Sequence, residues 1–184
     1  CTITASDPSG DYAYTNYMWS TSTAKPAYGW TRNTAATFDV TQSEQGVWYL
    51  HMEAFDYGGN RFYRMRGPYK IDKTPPSAVF TPNSASWRNT DVNVVIDPSD
   101  AGGSGVKQWR YRVSTNNGST YGSWSSFVTG DTNGTVTLST TGLNKIQVEA
   151  HDIAGNIGYI TSGIYYIDKV APTINANPDK LDSL

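Results

Sequence analysis

The sequence predicts an all-β protein made of two tandem immunoglobulin-like or fibronectin-like β-sandwiches, the first of which lacks its first strand. Three observations predict this class: a repeat of domain length, short β-branched and aromatic runs separated by turn residues, and an aromatic content of 13%. The chain has 184 residues and a formal net charge of −2. This charge balance gives no indication of binding to nucleic acid, and no apolar run is long enough to predict a membrane span.

The repeat is visible when the chain is aligned with itself. A shift of 96 residues aligns Gly46–Pro76 with Gly142–Pro172 without a gap, and 13 of the 31 aligned pairs are identical. Cys1 aligns inside the first part of the second copy, so the first copy has no counterpart of its first strand. We expect a first domain over 1–73, a second over 74–169, and the start of a third repeat or a tail over 170–184.

Short strands are predicted throughout both copies. In 106–113, Trp109, Tyr111 and Val113 alternate with Arg110 and Arg112, which indicates a strand with one buried face. The same alternation marks 144–151 in the second copy and its aligned stretch in the first. The strands expected in the second copy are 78–82, 91–96, 106–113, 123–128, 134–139, 144–151 and 158–167.

The connection between the copies is Ile71–Pro76, which contains no Gly/Ser tract. Pro75 and Pro76 fix their own φ angles and favour extended conformations before them. A stiff joint is therefore predicted.

Two motifs recur in both copies: Glu-Ala-Xaa-Asp-Xaa-Xaa-Gly-Asn at Glu53–Asn60 and Glu149–Asn156, and Ile-Asp-Lys-Xaa-Xaa-Pro at Ile71–Pro76 and Ile167–Pro172. Together they resemble the bacterial Ig-like repeats of Gram-positive secreted and cell-surface proteins. The resemblance implies an extracellular location at the bacterial surface. It also implies a non-catalytic role as a structural spacer or scaffold, whose partners are neighbouring repeats of the same longer chain.

A calcium site is one hypothesis for the acidic residues at the joint. In such a sandwich, the loops after the second and sixth strands meet where the chain enters the domain. Clustered carboxylates repel one another unless a cation neutralises them, and their hard oxygen atoms favour Ca²⁺. The alternative is that these residues only form turns and cap backbone N–H groups. The candidate ligands are Asp72, Asp97, Asp100, Glu149 and Asp152, with a weaker matching cluster at Asp7, Asp11, Glu53 and Asp56.

The aromatic residues allow a second function. An exposed, coplanar pair of rings could stack on sugars and bind cell-wall or extracellular polysaccharide; the alternative is that these rings cover the rim of the sandwich. We expect Trp19, Trp48 and Trp109 to be buried. The candidate sugar-binding residues are Tyr28, Trp30, Trp87, Tyr121 and Trp124.

No enzymatic activity is predicted for this chain. His51 and His151 lie at outward positions of the sixth strands, where we expect them to be solvated. A catalytic base would need a nucleophile or carboxylate partner within hydrogen-bond reach in a cleft, and nothing in the sequence marks one. Because the first copy lacks a strand, its edge could accept a strand from a second chain, for which Thr173–Leu184 is a candidate donor.

Overall fold

The computed structural model describes residues 1–175. The chain divides into two compact units, Cys1–Lys73 and Thr74–Leu184. Most of the predicted segment 170–184 lies outside the described residues. No helix that could cross a membrane occurs in the described part of the chain.

The first unit contains two antiparallel sheets. The strands are β1 (Thr2–Thr4), β2 (Tyr12–Ser20), β3 (Thr31–Asn33), β4 (Thr37–Asp39), β5 (Gly46–Asp56) and β6 (Arg61–Ile71). The four-stranded sheet has the order β3-β2-β5-β6, and the other sheet is the pair β1-β4. The buried core of the unit consists of Ile3, Val40 and Leu50, with Tyr17, Trp19, Phe38, Met52 and Tyr69 packed against them.

The strands of the second unit are β7 (Ser77–Thr81), β8 (Ala85–Arg88), β9 (Val92–Ser99), β10 (Val106–Ser114), β11 (Val128–Thr129), β12 (Gly134–Leu138), β13 (Gly142–Asp152), β14 (Ile157–Thr161) and β15 (Tyr165–Ile167). A three-stranded sheet, β12-β9-β7, packs against a six-stranded sheet. The larger sheet has the order β11-β10-β13-β15-β8, and β14 also pairs with β13. Fifteen buried apolar residues, contributed by both sheets, fill the space between them.

This architecture confirms the predicted class of tandem Ig-like β-sandwiches. Among the described residues, the first unit has no strand in the position that β7 takes beside β9, so its first strand is missing, as predicted. The two copies also share the register of strand pairing, because Gly46 pairs with Ile71 in the first unit and the aligned Gly142 pairs with Ile167 in the second.

Two strand predictions for the second unit were wrong in detail, and one strand was not predicted. Residues 123–128 form no strand except at Val128, because Tyr121–Phe127 runs irregularly beside β10. The predicted strand 158–167 is two strands, β14 and β15, which separate at Ser162–Ile164. Strand β8 was not predicted at all, because its four residues Ala85–Arg88 are too few to establish a periodic pattern and only Ala85 is buried.

Gly158 explains how the chain enters the second unit. A Cβ atom at this position would collide with the carbonyl oxygen of Pro76. The start of β14 therefore has to be glycine for Pro76 to lie in contact with it. The aligned residue of the first unit is Phe62, which is 68% exposed.

Candidate functional site

The acidic turn between β13 and β14 is built around Asp152, which is 1% exposed. Its Oδ1 accepts hydrogen bonds from the backbone N–H groups of Gly155 and Asn156, at 2.6 and 2.7 Å. Its Oδ2 accepts one from the side-chain Nδ2 of Asn156, at 2.6 Å. The spacing of Asp and Asn that recurs in both copies thus closes a hairpin, as the turn interpretation predicted.

A second acidic loop, after β9, lies against this turn. The Oδ2 atom of Asp100 accepts a hydrogen bond from the N–H of Gly105 at 2.7 Å, whereas its Oδ1 is buried and has no donor among the described residues. The N–H of Ile153 donates to the Gly105 carbonyl at 3.0 Å, which ties the two loops together. One carboxylate oxygen of Asp100 and one of Asp152 lie within 4.8 Å of each other. This pair of oxygens could hold a cation, for which Ca²⁺ is suited.

The other predicted calcium ligands have different surroundings. Asp97 is exposed on β9, on the face opposite the buried residues Ile96 and Pro98. Asp72 follows β6 in the first unit. Glu149 is buried and forms ion pairs within the second unit. The described residues of that unit thus bring together Asp100 and Asp152 from the predicted set.

Glu149 lies on the outer face of the six-stranded sheet, between Arg110 and His151. Its Oε2 is 2.9 Å from Nη2 of Arg110, and its Oε1 is 2.7 Å from Nε2 of His151. Burial alone would raise the pKa of this carboxyl, but the hydrogen bonds and charges of Arg110 and His151 outweigh burial and lower it. Glu149 therefore remains charged although it is only 5% exposed.

Two arginines and three aromatic rings form a ladder over the same face. The guanidinium carbon of Arg112 lies 4.8 Å from the ring centre of Tyr121 and 4.4 Å from that of Trp124. That of Arg110 lies 4.9 Å from Trp124 and 4.6 Å from Phe127. Such cation–π contacts hold the segment Tyr121–Phe127 on β10. The sequence signal for this ladder is arginine at every second residue of the strand and an aromatic at every third residue of the segment.

The predicted sugar-binding aromatics do not form an exposed coplanar pair among the described residues. Tyr121 and Trp124 are in the ladder, and Trp30 is partly buried, with its Nε1 donating to the carbonyl of Pro26 at 3.1 Å. Tyr28 is 85% exposed. Trp87 is 63% exposed and contacts Tyr166 at a tilt of 55° between the ring planes.

Trp87 borders a cleft of about 460 Å³ in the second unit. The cleft has polar walls that combine an aromatic ring with hydrogen-bonding groups, which is a combination that sugars can use. Its lining residues are Trp87, Arg88, Asn89, Thr90 and Asp168.

The first unit repeats the acidic turn with a more exposed arrangement. Asp56 accepts hydrogen bonds from the N–H and the Nδ2 of Asn60, at 2.8 and 2.7 Å, and lies within 4.8 Å of Asp7 and Asp11. Ser9 donates side-chain and backbone hydrogen bonds to Asp7, and these lower the pKa of that carboxyl. Glu53 is outside this group.

The prediction of two solvated histidines was wrong for His51. Its side chain points to the outer face as expected, but it is 0% exposed. One ring nitrogen lies 2.6 Å from the hydroxyl of Tyr63 and the other 2.9 Å from the carbonyl oxygen of Ser22. The loop after β2 therefore covers a position that alternation alone assigns to solvent. Of the three tryptophans expected in the core, Trp109 is buried, whereas Trp19 and Trp48 are half-buried.

Comparison with solved structures found similar chains. Fibronectin(III)-like modules of CbhA from Clostridium thermocellum are similar to this chain, with a TM-score of 0.36 and 13% sequence identity, over 90% of this chain and 84% of that one. No protein-family model matches the chain. No curated protein matches it either.

Proposed function

We propose that this chain is a structural spacer: two Ig-like domains, without catalytic activity, that separate other parts of a secreted bacterial cell-surface protein. The observation that supports this most is the use made of the repeated residues. Glu53 and Glu149 each form ion pairs within their own unit, and Asp56 and Asp152 each close a hairpin with the asparagine four residues later. The duplicated motif is thus a folding device, which is what an array of spacer domains requires.

Stiffness at the joint is part of this proposal, because two prolines follow Thr74. NMR relaxation of the ¹⁵N-labelled chain measures the rotational correlation time of each unit separately. We expect one shared correlation time in the unmodified chain and two shorter, different times in a variant carrying Pro75→Gly and Pro76→Gly. Independent tumbling of the units in the unmodified chain would contradict the spacer role.

Calcium binding by the second unit is a further part of the proposal. Asp100 and Asp152 supply the oxygens. The buried Oδ1 of Asp100, which accepts no hydrogen bond from the residues that the structure describes, is the atom with most to gain from a cation. Asp72 remains a predicted ligand from the first unit. Asp97 and Glu149 are less suited, because one faces outward and the other is neutralised by Arg110.

Calorimetric titration with Ca²⁺ and thermal melting with and without chelator test this site. At a Ca²⁺ concentration of 100 times Kd, the free energy of unfolding of this unit rises by about 2.7 kcal/mol, so its Tm increases by several degrees. We expect Asp100→Asn to abolish both the heat and the Tm increase. Asp97→Asn is the matched control, since it removes the same charge from an exposed position nearby and leaves binding unchanged. A Tm shift below a degree or two in the unmodified chain would exclude the site.

Polysaccharide binding is the second candidate, favoured by the exposed Trp87 beside a polar cleft. Affinity electrophoresis in gels containing cell-wall or plant polysaccharides tests it. Retardation that is lost in Trp87→Ala and kept in Tyr28→Ala would support this cleft as the site. Equal mobility with and without polysaccharide would exclude polysaccharide binding, and the spacer role would then be the single proposed function.

A further inference from the structure

The outer face of the six-stranded sheet carries two cations that have no carboxylate partner among the described residues. On this face the charge of Arg110 is neutralised by Glu149, at 2.9 Å. Neither Arg112 nor Lys145 forms an ion pair with a residue that the structure describes. Two like charges on one surface repel each other, so an anion that binds beside both of them relieves this repulsion.

The register between β10 and β13 places these two side chains close together. Arg112 lies opposite Gln147, and Ser114 lies opposite Lys145. Arg112 and Lys145 are therefore diagonal neighbours on one face of an antiparallel pair. The Cα atoms of such neighbours are about 7–8 Å apart, which is within reach of long side chains.

The side chain of Tyr121 contacts Arg112 and extends to the turn against which Lys145 packs. Its ring centre is 4.8 Å from the guanidinium carbon of Arg112. A Cβ atom placed on Gly118 would lie 3.2 Å from the hydroxyl oxygen of Tyr121 and 3.6 Å from Cδ of Lys145. The hydroxyl and the lysine side chain thus border the same point of the turn. An anion there would meet a guanidinium, an ammonium and a hydroxyl group, all of which can donate hydrogen bonds.

The guanidinium of Arg112 is held in a fixed orientation. Its Nε donates to Oε1 of Gln147 at 2.8 Å, and its carbon lies 4.4 Å from the ring centre of Trp124 as well as near Tyr121. Its two terminal nitrogens are accessible to solvent and donate to no described residue. Because the group is already oriented, binding an oxyanion through these nitrogens costs little further side-chain freedom.

We propose that Arg112 and Lys145 form a binding site for a phosphate group, with the hydroxyl of Tyr121 as a third donor. Arg112 supplies the fork of its two terminal nitrogens, and Lys145 supplies a point charge from the neighbouring strand. A phosphate monoester carries a charge of about −1.5 to −2 at pH 7, which two cations match better than they match the single charge of a carboxylate. The site shares no residue with the proposed calcium site or with the cleft beside Trp87.

Titration of the whole chain with inorganic phosphate, followed in ¹H–¹⁵N NMR spectra at constant ionic strength, tests this site. We expect saturable shifts of the Nε–H signal of Arg112 and weaker binding of acetate. Lys145→Gln should weaken phosphate binding about tenfold, the loss expected for one hydrogen bond between charged groups, and Lys145→Arg should retain binding. Lys107→Gln is the matched control, because it removes the same charge from an exposed residue of β10 and should leave the affinity unchanged.

Glucose 6-phosphate is the second probe and identifies the source of the phosphate group. Equal Kd values for the two probes would show that the phosphate group alone is recognised, whereas a lower Kd for the sugar phosphate would assign the site to a phosphorylated saccharide. Shifts that do not saturate, or that are the same in Lys145→Gln, would overturn the proposal. So would acetate binding as tight as that of phosphate, or equal losses of affinity in Lys107→Gln and Lys145→Gln.

Discussion

Glu149 is 5% exposed although it lies on the outer face of its sheet, because Arg110 and His151 cover its two oxygens. The aligned Glu53 is 6% exposed and pairs with Lys25 at 2.7 Å. Each unit therefore holds one nearly buried carboxylate at the same place in its framework. At the scale of single residues, this makes the stability of both units dependent on charge neutralisation as well as on apolar burial.

We expect the second unit to lose stability as Glu149 is protonated. Its pKa is lowered in the folded state, so its contribution is complete above the ordinary value of 4.5 and is lost as the pH falls through the lower folded pKa. At pH 7, Glu149→Gln should reduce the free energy of unfolding by about 3 kcal/mol, because Arg110 keeps its charge without a partner. Denaturant titrations between pH 7 and pH 2 measure this difference.

The difference between Glu149→Gln and the unmodified chain should shrink toward zero at the acidic end of that range, because both side chains are then neutral. The control is Glu44→Gln, at an exposed position of the first unit, which should leave the acid dependence of the second unit unchanged. A gap that stayed constant with pH would mean that the charge of Glu149 contributes nothing to stability.

Among the elements, the segment Tyr121–Phe127 depends most on side chains for its position. It has two backbone hydrogen bonds to β10, from Gly122 to Val113 at 2.9 Å and from Ser125 to Tyr111 at 2.8 Å. The N–H of Tyr111 also donates to the hydroxyl of Ser125 at 3.0 Å, and the ladder of Arg110 and Arg112 with the three aromatic rings supplies further contacts. We therefore expect this segment to detach if the central ring is removed.

Trp124→Ala should lower the free energy of unfolding of the second unit by about 2 kcal/mol, since the ring loses its contacts with both arginines. It should also expose the segment 115–127 to proteases. Limited proteolysis with mass spectrometry and a denaturant titration measure these effects. Trp87→Ala is the matched control: its ring is 63% exposed, so stability should change by less than about 1 kcal/mol and no new cleavage should appear in 115–127. Equal effects of the two substitutions would contradict a role for the ladder.

The strands that could be predicted from the sequence are those with one polar and one apolar face. Alternation in 106–113 and 144–151 identified β10 and β13 almost to the residue. It could not identify β8, which pairs at a sheet edge over four residues, or exclude 123–128, where aromatic residues pack on arginines outside the core. Hydrophobic periodicity indicates which face of a strand is buried between the two sheets. The structures of β8 and of 123–128 are determined by other contacts, at the edge of the sheet and on its outer face.

The candidate site shows the same limit. The hairpin formed by Asp152 and Asn156 follows from residue type and spacing, and so was anticipated as the turn interpretation. The pairing of Glu149 with Arg110 depends on the register between β13 and β10, which no local pattern contains. The burial of His51 depends on the carbonyl of Ser22, which lies 29 residues away in the sequence.

At the scale of the whole chain, the two units differ in the size of their cores. The described part of the first unit has three buried apolar residues in its core cluster, whereas that of the second has fifteen. Strands β7 and β8, which have no counterpart in the first unit, provide Ala78, Phe80 and Ala85 to the larger core. The first unit should therefore unfold more easily than the second.

Two aligned substitutions test this difference. Leu50→Ala and Ile146→Ala each remove a side chain that is at most 1% exposed, and each should cost about 3 kcal/mol in its own unit. In the unmodified chain we expect two calorimetric transitions. Leu50→Ala should lower the temperature of the first transition alone, and Ile146→Ala that of the second. A single transition that both substitutions shift equally would show that the units unfold together.

The structural role of the hairpin between β13 and β14 affects how its sequence is conserved in evolution. Four residues of its motif contribute to folding, since Glu149 is paired, Ala150 is buried and Asp152 is bonded to Asn156. Natural selection can thus preserve these residues in proteins that have no activity in common. Annotation transferred through this motif would carry over a shape and nothing of the biology attached to it.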